Sequence, residues 1–327
     1  MGGEFDFIAT IRAGAARASG ALRLGIGDDC AVWAPPAGHD QLASTDLLIE
    51  GVHFERATTS LADLGHKALA VNLSDIAAMG GTPRYVILGL GMPGDPSAHA
   101  ELVNGLLRHA AETGVTLIGG DTCASRAGLL ISITVLGEVP AGRAIPRGGA
   151  RPGDAVYVTG TLGDSAAGLA LLADAALAPA APWRDALIGR HRRPAARLEW
   201  GRLLGGERLA SAMIDVSDGL LADLGHILDE SGVGAEVAAE RVPMSDALRA
   251  FGTAMGRDPL ALAVGGGEDY ELLFTVPPER EAALARHVAA GELAATAIGR
   301  VTGGGGLRVS RDGAAYVPPR AGYEHFS

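Results

Sequence analysis

"SLADLGHKALAVNLSDIAAMGG", residues 60–81, is the stretch whose periodicity sets the fold class. Leu64, Leu69, Leu73, Ile76 and Met79 recur at helical spacing, which gives one apolar face to bury. Ser60 reads as the N-cap with Asp63 as the acid three residues on, and Gly80-Gly81 reads as the stop. The flanking segments "QLASTD" (41–46) and "YVILGLG" (85–91) read as strands. Outward from there, a second helix is expected over about 97–112, then strands "VTLIGG" (115–120) and "LLISITVLGEV" (129–139).

The turn-rich "PRGGARPGD" (146–154) interrupts this alternation and places a domain boundary near residue 150. The pattern then restarts with strand "AVYVTG" (155–160), a helix from Asp164, and a helical region to about 205. Strand "SAMIDV" (211–216), helix 218–231, a short strand near 235 and strand "YELLFTV" (270–276) follow, before a helix, strand "TAIGRV" and a terminal hairpin. Strands and helices mix in both halves, so the expected class is α/β (α+β mixed), with domains at 1–150 and 151–327.

Of the 327 residues 48% are hydrophobic, enough for a substantial core. The net charge of −11 and the lack of a basic stripe exclude a nucleic-acid binder. "RHRRPAAR" (190–197) is too short to carry that role and reads as a solvated helix end. Cys30 and Cys123 form neither a CxxC pair nor a zinc spacing and read as small buried fillers in a reducing compartment. No apolar run reaches membrane-spanning length and the N-terminus lacks signal-peptide features, so the expected location is cytoplasmic, with no membrane partner. Trp33, Trp183 and Trp200 read as packing residues, and Lys67, the single lysine, as an ion-pair or phosphate contact.

Acids beside Gly, Ser or Thr recur at the ends of apolar segments: "GDD" (27–29), "STD" (44–46), "NLSD" (72–75), "GGD" (119–121) and "DVSD" (215–218). Each alone is an ordinary cap or turn. Five together point to one oxygen-rich locus. Asp215 and Asp218, like Asn72 and Asp75, are spaced i and i+3, so each pair can face one point. Oxygen donors without His or Cys clusters suit a hard cation such as Mg²⁺, and no EF-hand loop is present. Phosphoryl transfer uses such ions, yet no GxxxxGK[ST], HRD with DFG, or strand-GxGxxG-helix signature occurs. A nucleotide would then be held chiefly through metals.

"GEFDFI", "GIGDDCAV", "STDLLIEGVHF", "HKALAVNLSDIAAMG", "IGGDT", "RGGARPGD", "YVTGTLGDSAAGL", "DVSDGL" and "GGEDYELLFTVP" occur in this order over residues 3 to about 300. With them the chain resembles the thiamine-monophosphate kinase family, in the superfamily of aminoimidazole ribonucleotide synthetase and selenophosphate synthetase. The resemblance implies a two-domain synthetase-like subunit, with N-terminal sheets closing a barrel across a homodimer interface and a C-terminal α/β domain. It implies transfer of phosphate from ATP to thiamine phosphate with several Mg²⁺ ions, in a groove between domains. Carried over by position, Asp29, Ser44, Thr45, Asp46, Asp75, Asp121, Asp215 and Asp218 would be metal ligands, with Asp28 acting directly or through water. Gly120, Asp121, Arg147 and Ser217 would touch ATP; His53, Glu268 and Tyr323 would face thiamine phosphate. Asp46, Asp75, Asp121 and Arg147 would carry the catalysis.

One departure stands out: the family often has an aromatic residue just before the glycine matching Gly105, and "LVNGLL" supplies Val103 and Asn104. No adenine-binding residue is therefore assigned. Gly265 to Gly267 suggest close ligand approach beside Glu268. Two alternatives remain at this stage. Another ATP-dependent superfamily member is one, although "MGGEFDFIATIRAG" lacks the reactive Cys of a selenophosphate synthetase. A non-catalytic metal or nucleotide-binding scaffold is the other.

Overall fold

The computed structural model describes residues 4–15, 20–26, 29–320 and 322–323. Asp28 lies outside the described residues. The chain divides into two compact units, Met1–Ile76 with Gly81–Gly142, and Ala77–Gly80 with Arg143–Ser327.

The first unit holds α1 (Glu4–Gly14), a short ladder of β1 (Leu22–Leu24) and β2 (Val32–Trp33), then β3 (His39–Ile49) and α2 (Leu61–Ala78). β4 (Thr82–Met92), α3 (Ala100–Thr113), β5 (Thr116–Ala124) and β6 (Leu130–Pro140) complete it. The cap expected for α2 is present: Ser60 Oγ accepts from the Asp63 N–H at 3.1 Å and donates to the Asp63 carboxylate at 2.8 Å. Gly80 ends the helix in a left-handed conformation, φ 71°, which few side chains tolerate. The four-stranded sheet runs β3-β6-β4-β5, antiparallel except for the β4–β5 pair.

Alternation divides that sheet into two faces. Leu48, Ile131, Ile133, Val86 and Leu88 are buried on one, where the Ile76 side chain of α2 lies over Gly137. Leu47, Ile49, Ile87 and Leu130 stand on the other and are exposed, Leu47 by 51%. Such an apolar patch is what a partner surface would cover.

The second unit contains β7 (Ala155–Thr159), α4 (Asp164–Ala173), α5 (Arg184–Arg192), α6 (Leu198–Gly206), β8 (Ala212–Asp215) and α7 (Leu220–Ser231). It continues with β9 (Gly234–Ala238), α8 (Asp246–Met255), α9 (Pro259–Gly265), β10 (Leu272–Val276), α10 (Pro278–Ala289), β11 (Ala295–Thr302), β12 (Gly306–Arg311) and β13 (Ala314–Ala315). Its seven strands are ordered β13-β12-β9-β11-β7-β10-β8, with β9–β12 the parallel pair. β10 is buried along its whole length, and Val156, Val158, Ile214, Leu224, Ile227 and Leu273 are part of the core around it.

Local chemistry explains most differences from the sequence reading. α8 and α9 were not anticipated, although Ser245 caps the first by accepting from Leu248 N–H at 3.0 Å and Asp258 caps the second ahead of Pro259. β10 starts at Leu272 rather than at 270, because Tyr270 is held at φ 52°, outside the strand region. The tryptophans do pack: Trp33 against Tyr85, Trp183 edge-on to Phe251, and Trp200 beneath Arg197. Cys30 and Cys123 are exposed rather than buried. Cys123 lies on β5, an edge strand of its sheet, where burial is incomplete. Among the described residues no helix is long and apolar enough to cross a membrane.

Candidate active site

In the first unit Asp46, Asp75 and Asp121 sit inside regular elements, not at their ends. Asp46 lies within β3 and Asp75 within α2. Alternation sends Ser44 and Asp46 to the face that α2 covers, and there Ser44 Oγ donates to Asp75 Oδ2 at 2.5 Å. The Asp46 backbone N–H donates to Asn72 Oδ1 at 3.2 Å, which fixes the helix against the strand. Burial, and then the neighbouring Asp75 charge, push the Asp46 carboxyl up to about 6. Two carboxylates and a hydroxyl thus crowd together. All the donors are oxygen, and a hard divalent ion would remove the repulsion that raises Asp46.

The Thr45 hydroxyl lies on the opposite face of the sheet. Its Oγ1 donates to the Ile133 carbonyl at 3.0 Å and accepts from Thr134 Oγ1 at 3.1 Å. Neighbouring strand residues point to opposite faces, so the Thr45 hydroxyl cannot join Ser44 and Asp46. Asp121 is exposed on β5, paired with Gly89, while Asp46 is on β3; these strands form the two edges of the sheet. Gly120 tolerates no side chain, since a Cβ would lie 2.0 Å from the Leu88 carbonyl. Asp29 is exposed in the bend after the residues left undescribed. His53 follows β3, and its Nδ1 accepts the Ile49 N–H at 3.1 Å. That bond places the ring proton of the neutral imidazole on Nε2.

In the second unit Ser217, Asp218 and Glu268 ride on loops. Asp215 ends β8 and is buried. The next residues turn around Asp223 of α7, whose Oδ2 accepts from the backbone N–H groups of Ser217 (3.1 Å), Asp218 (3.1 Å) and Gly219 (3.0 Å). Burial is the main cause raising the Asp223 carboxyl to about 7, with the Asp218 charge adding to it. Asp218, Asp223 and His226 each offer a ligand atom within 4.8 Å of the others.

The segment 265–270 packs directly on this loop. Glu268 N–H donates to the Ser217 carbonyl at 2.7 Å and Tyr270 N–H to the Val216 carbonyl at 2.9 Å. The glycines expected to admit a ligand instead admit backbone: a Cβ on Gly267 would lie 2.4 Å from the Ser217 carbonyl, and one on Gly265 2.3 Å from the Arg320 carbonyl. The C-terminal segment reaches the same loop, where Tyr323 N–H donates to the Asp218 carbonyl at 3.0 Å. Asp218, Ser217, Glu268 and Tyr323 therefore share one neighbourhood. Arg147 is exposed in the segment before β7, with its carbonyl accepting from Ser231 Oγ at 3.4 Å.

Glu268 is oriented from behind. It has φ 63°, and its Oε2 lies 3.2 Å from Nδ1 of the buried His191, which also meets Ser165 Oγ at 3.0 Å. Asp269 accepts from the Gly163 (2.6 Å) and Ser165 (3.2 Å) N–H groups at the start of α4, and burial raises its carboxyl to about 7. The buried Glu271 takes Arg190 Nη2 at 2.8 Å, Arg197 Nε at 2.7 Å and Thr159 Oγ1 at 2.7 Å. Residues 190–197 are thus an ion-paired brace, not a solvated helix end. Sequence reasoning missed Asp223, His191, Asp269 and Glu271. Only Asp223 carried a local signal, as an acid in the first turn of α7.

Two family models match the chain: AIR synthase related protein, N-terminal domain, over residues 27–139, and the C-terminal domain over 151–312. The thiamine-monophosphate kinase of Escherichia coli O157:H7 is 44% identical across 99% of this chain and 98% of its own length. The chain belongs to the thiamine-monophosphate kinase family. The crystal structure of the family member from Stenotrophomonas maltophilia K279a superposes with a TM-score of 0.84 at 40% identity, covering 96% of this chain and 98% of that one. AaThiL complexed with AMPPCP and TMP superposes at 0.79 with 35% identity, over 99% of this chain and 97% of that one. The family fold is mixed α/β in two domains, as observed here.

Proposed function

We propose that this chain transfers the γ-phosphoryl group of ATP to thiamine phosphate, giving ADP and thiamine diphosphate, in the cytoplasm. The single observation that carries the reading is the match over nearly its full length to a relative solved with AMPPCP and TMP. The acceptor is a phosphomonoester with a second pKa of about 6, so it reaches neutral pH largely ionised. No general base is needed. The obstacle is repulsion between two polyanions, and positioning with charge neutralisation is the remedy.

Magnesium fits the donor set, because Ser44, Asp46 and Asp75 present oxygen alone and Asp46 is held up by burial and then by the Asp75 charge. Asp29, Ser44, Thr45, Asp46, Asp75, Asp121, Asp215 and Asp218 would hold the ions, which would supply charge neutralisation along the polyphosphate. Gly120, Arg147 and Ser217 contact the nucleotide, with the Arg147 guanidinium drawing on the γ-phosphate as charge redistributes. The His53 Nε2–H donates to the acceptor phosphate. Glu268 faces the cationic thiamine portion, and Tyr323 closes over it. The transfer is in-line and direct: the bond from γ-phosphorus to the bridging oxygen breaks as an acceptor oxygen bonds to phosphorus.

The exposed face of Leu47, Ile49, Ile87 and Leu130 supports a homodimer in which two such sheets close a barrel. The deciding experiment is ADP release with thiamine phosphate, with and without Mg²⁺, alongside formylglycinamidine ribonucleotide as acceptor. Mg²⁺-dependent release with thiamine phosphate alone is expected. Release only with the ribonucleotide, or with neither, contradicts the reading, and a phosphorylated aspartate trapped during turnover contradicts direct transfer.

A further inference from the structure

A second set of ligand-type side chains lies in the first unit, on helix faces that the proposed chemistry does not use. α2 and α3 cross closely enough that a Cβ on Gly65 would stand 1.9 Å from the Leu102 carbonyl, and one on Gly105 2.1 Å from the Ala62 carbonyl. Only glycine permits this backbone approach. The crossing presses His66, next to Gly65, against His109, one turn beyond Gly105. Their ring centroids are 3.8 Å apart, their planes tilted by 33°, and each residue is only 8% exposed. His109 Nδ1 also lies 3.2 Å from Oε2 of Glu112, its neighbour one turn on. All three ligand atoms fall within 4.8 Å of one another.

We propose that His66, His109 and Glu112 form a site for one borderline transition ion of the Zn²⁺ or Co²⁺ class. Two imidazole nitrogens and one carboxylate oxygen are a donor set that favours such ions over Mg²⁺. The spacing agrees. Zinc bonds of about 2.0–2.1 Å to nitrogen and oxygen at a tetrahedral angle set the two donors roughly 3.3 Å apart, close to the 3.2 Å between His109 Nδ1 and Glu112 Oε2. Imidazole lone pairs lie in the ring planes, so the stacked rings, tilted by 33°, must swing about their side-chain torsions to aim both at one ion. The Glu112 side chain is 62% exposed, which opens the fourth position to water and gives the ion a route in. Bound there, the ion would clip α2, the helix of Asn72 and Asp75, to α3. The clip is independent of the proposed kinase site and is built from different donors.

The test is a Co²⁺ titration of the full-length protein, stripped with chelator and then saturated with Mg²⁺ to occupy the oxygen-rich sites. The expected result is one equivalent of Co²⁺ with the visible absorption of a four-coordinate nitrogen–oxygen site, displaced by Zn²⁺. Glu112→Gln, at an exposed position that leaves the fold undisturbed, should weaken Co²⁺ binding about tenfold or more. His109→Gln should abolish the absorption while Mg²⁺-dependent kinase activity persists. Zn²⁺ should raise the melting temperature of the wild type and not of His109→Gln. An absent absorption band, or one equally strong in the Glu112 and His109 variants, overturns the assignment.

Discussion

The two acidic regions hold their carboxylates in opposite ways. In the first unit, Ser44, Asp46 and Asp75 stand on a long strand and a buried helix, with side chains meeting face to face. In the second, Asp218 is on a loop whose backbone is tied down by Asp223, by Glu268 and Tyr270, and by the C-terminal Tyr323. The first region stores electrostatic strain in a rigid frame; the second spends hydrogen bonds to make a loop rigid. A cation should therefore relieve the first and merely occupy the second.

Substitutions can break that contrast. The largest effect is expected from Asp75→Asn or Asp46→Asn, which remove ligands from the frame. Each should lower kcat by about 10³-fold in the ADP-release assay while circular dichroism stays unchanged. Asp223→Ala leaves three loop N–H groups without their shared acceptor. It should cost about 10²-fold in kcat/KM and also lower Tm, because it strikes order as well as chemistry. A similar loss of Tm in Asp75→Asn would erase the distinction between the regions.

A finer comparison lies within the second unit. Glu268→Gln should raise KM for thiamine phosphate about tenfold with little change in kcat. His191→Phe keeps the packing volume but loses the contact to Glu268, and should raise the same KM by a smaller factor, about threefold. An effect on kcat alone would contradict their proposed roles.

The smallest effect is on pH dependence. Asp269 and Asp223 are raised to about 7, and Asp46 to about 6, all chiefly by burial. The folded state thus binds more protons than the unfolded chain between pH 4 and 7, so stability falls as pH rises through that window. Without divalent ions, Tm should decline from pH 5 to pH 8, and Asp269→Asn should flatten the slope. Mg²⁺ should restore part of the loss through Asp46.

How much could be read from the chain follows the same division. The α2 frame was legible because its signals are local: Ser60 and Asp63 cap it, leucines at helical spacing give its face, and Gly80 ends it. That the clusters at 44–46 and 72–75 converge was legible, but the hydrogen bond from Ser44 to Asp75 across 31 residues was not. In the second unit, Glu271 meets Arg190 and Arg197 from 81 and 74 residues away, and His191 finds Glu268 through the fold. No periodicity encodes such partners, which is why residues 190–197 read as solvated. A run of adjacent donors such as Ser44, Thr45 and Asp46 looks like one cluster in the sequence until strand alternation turns the Thr45 hydroxyl to the other face.

Calorimetric titration of Mg²⁺ into the protein with AMPPCP at pH 6, in buffers of different ionisation enthalpy, tests the cation cage most directly. Binding should release protons as Asp46 ionises, and Asp75→Asn should weaken the binding at least tenfold. Equal affinity in wild type and variant, with no proton release in either, would contradict it.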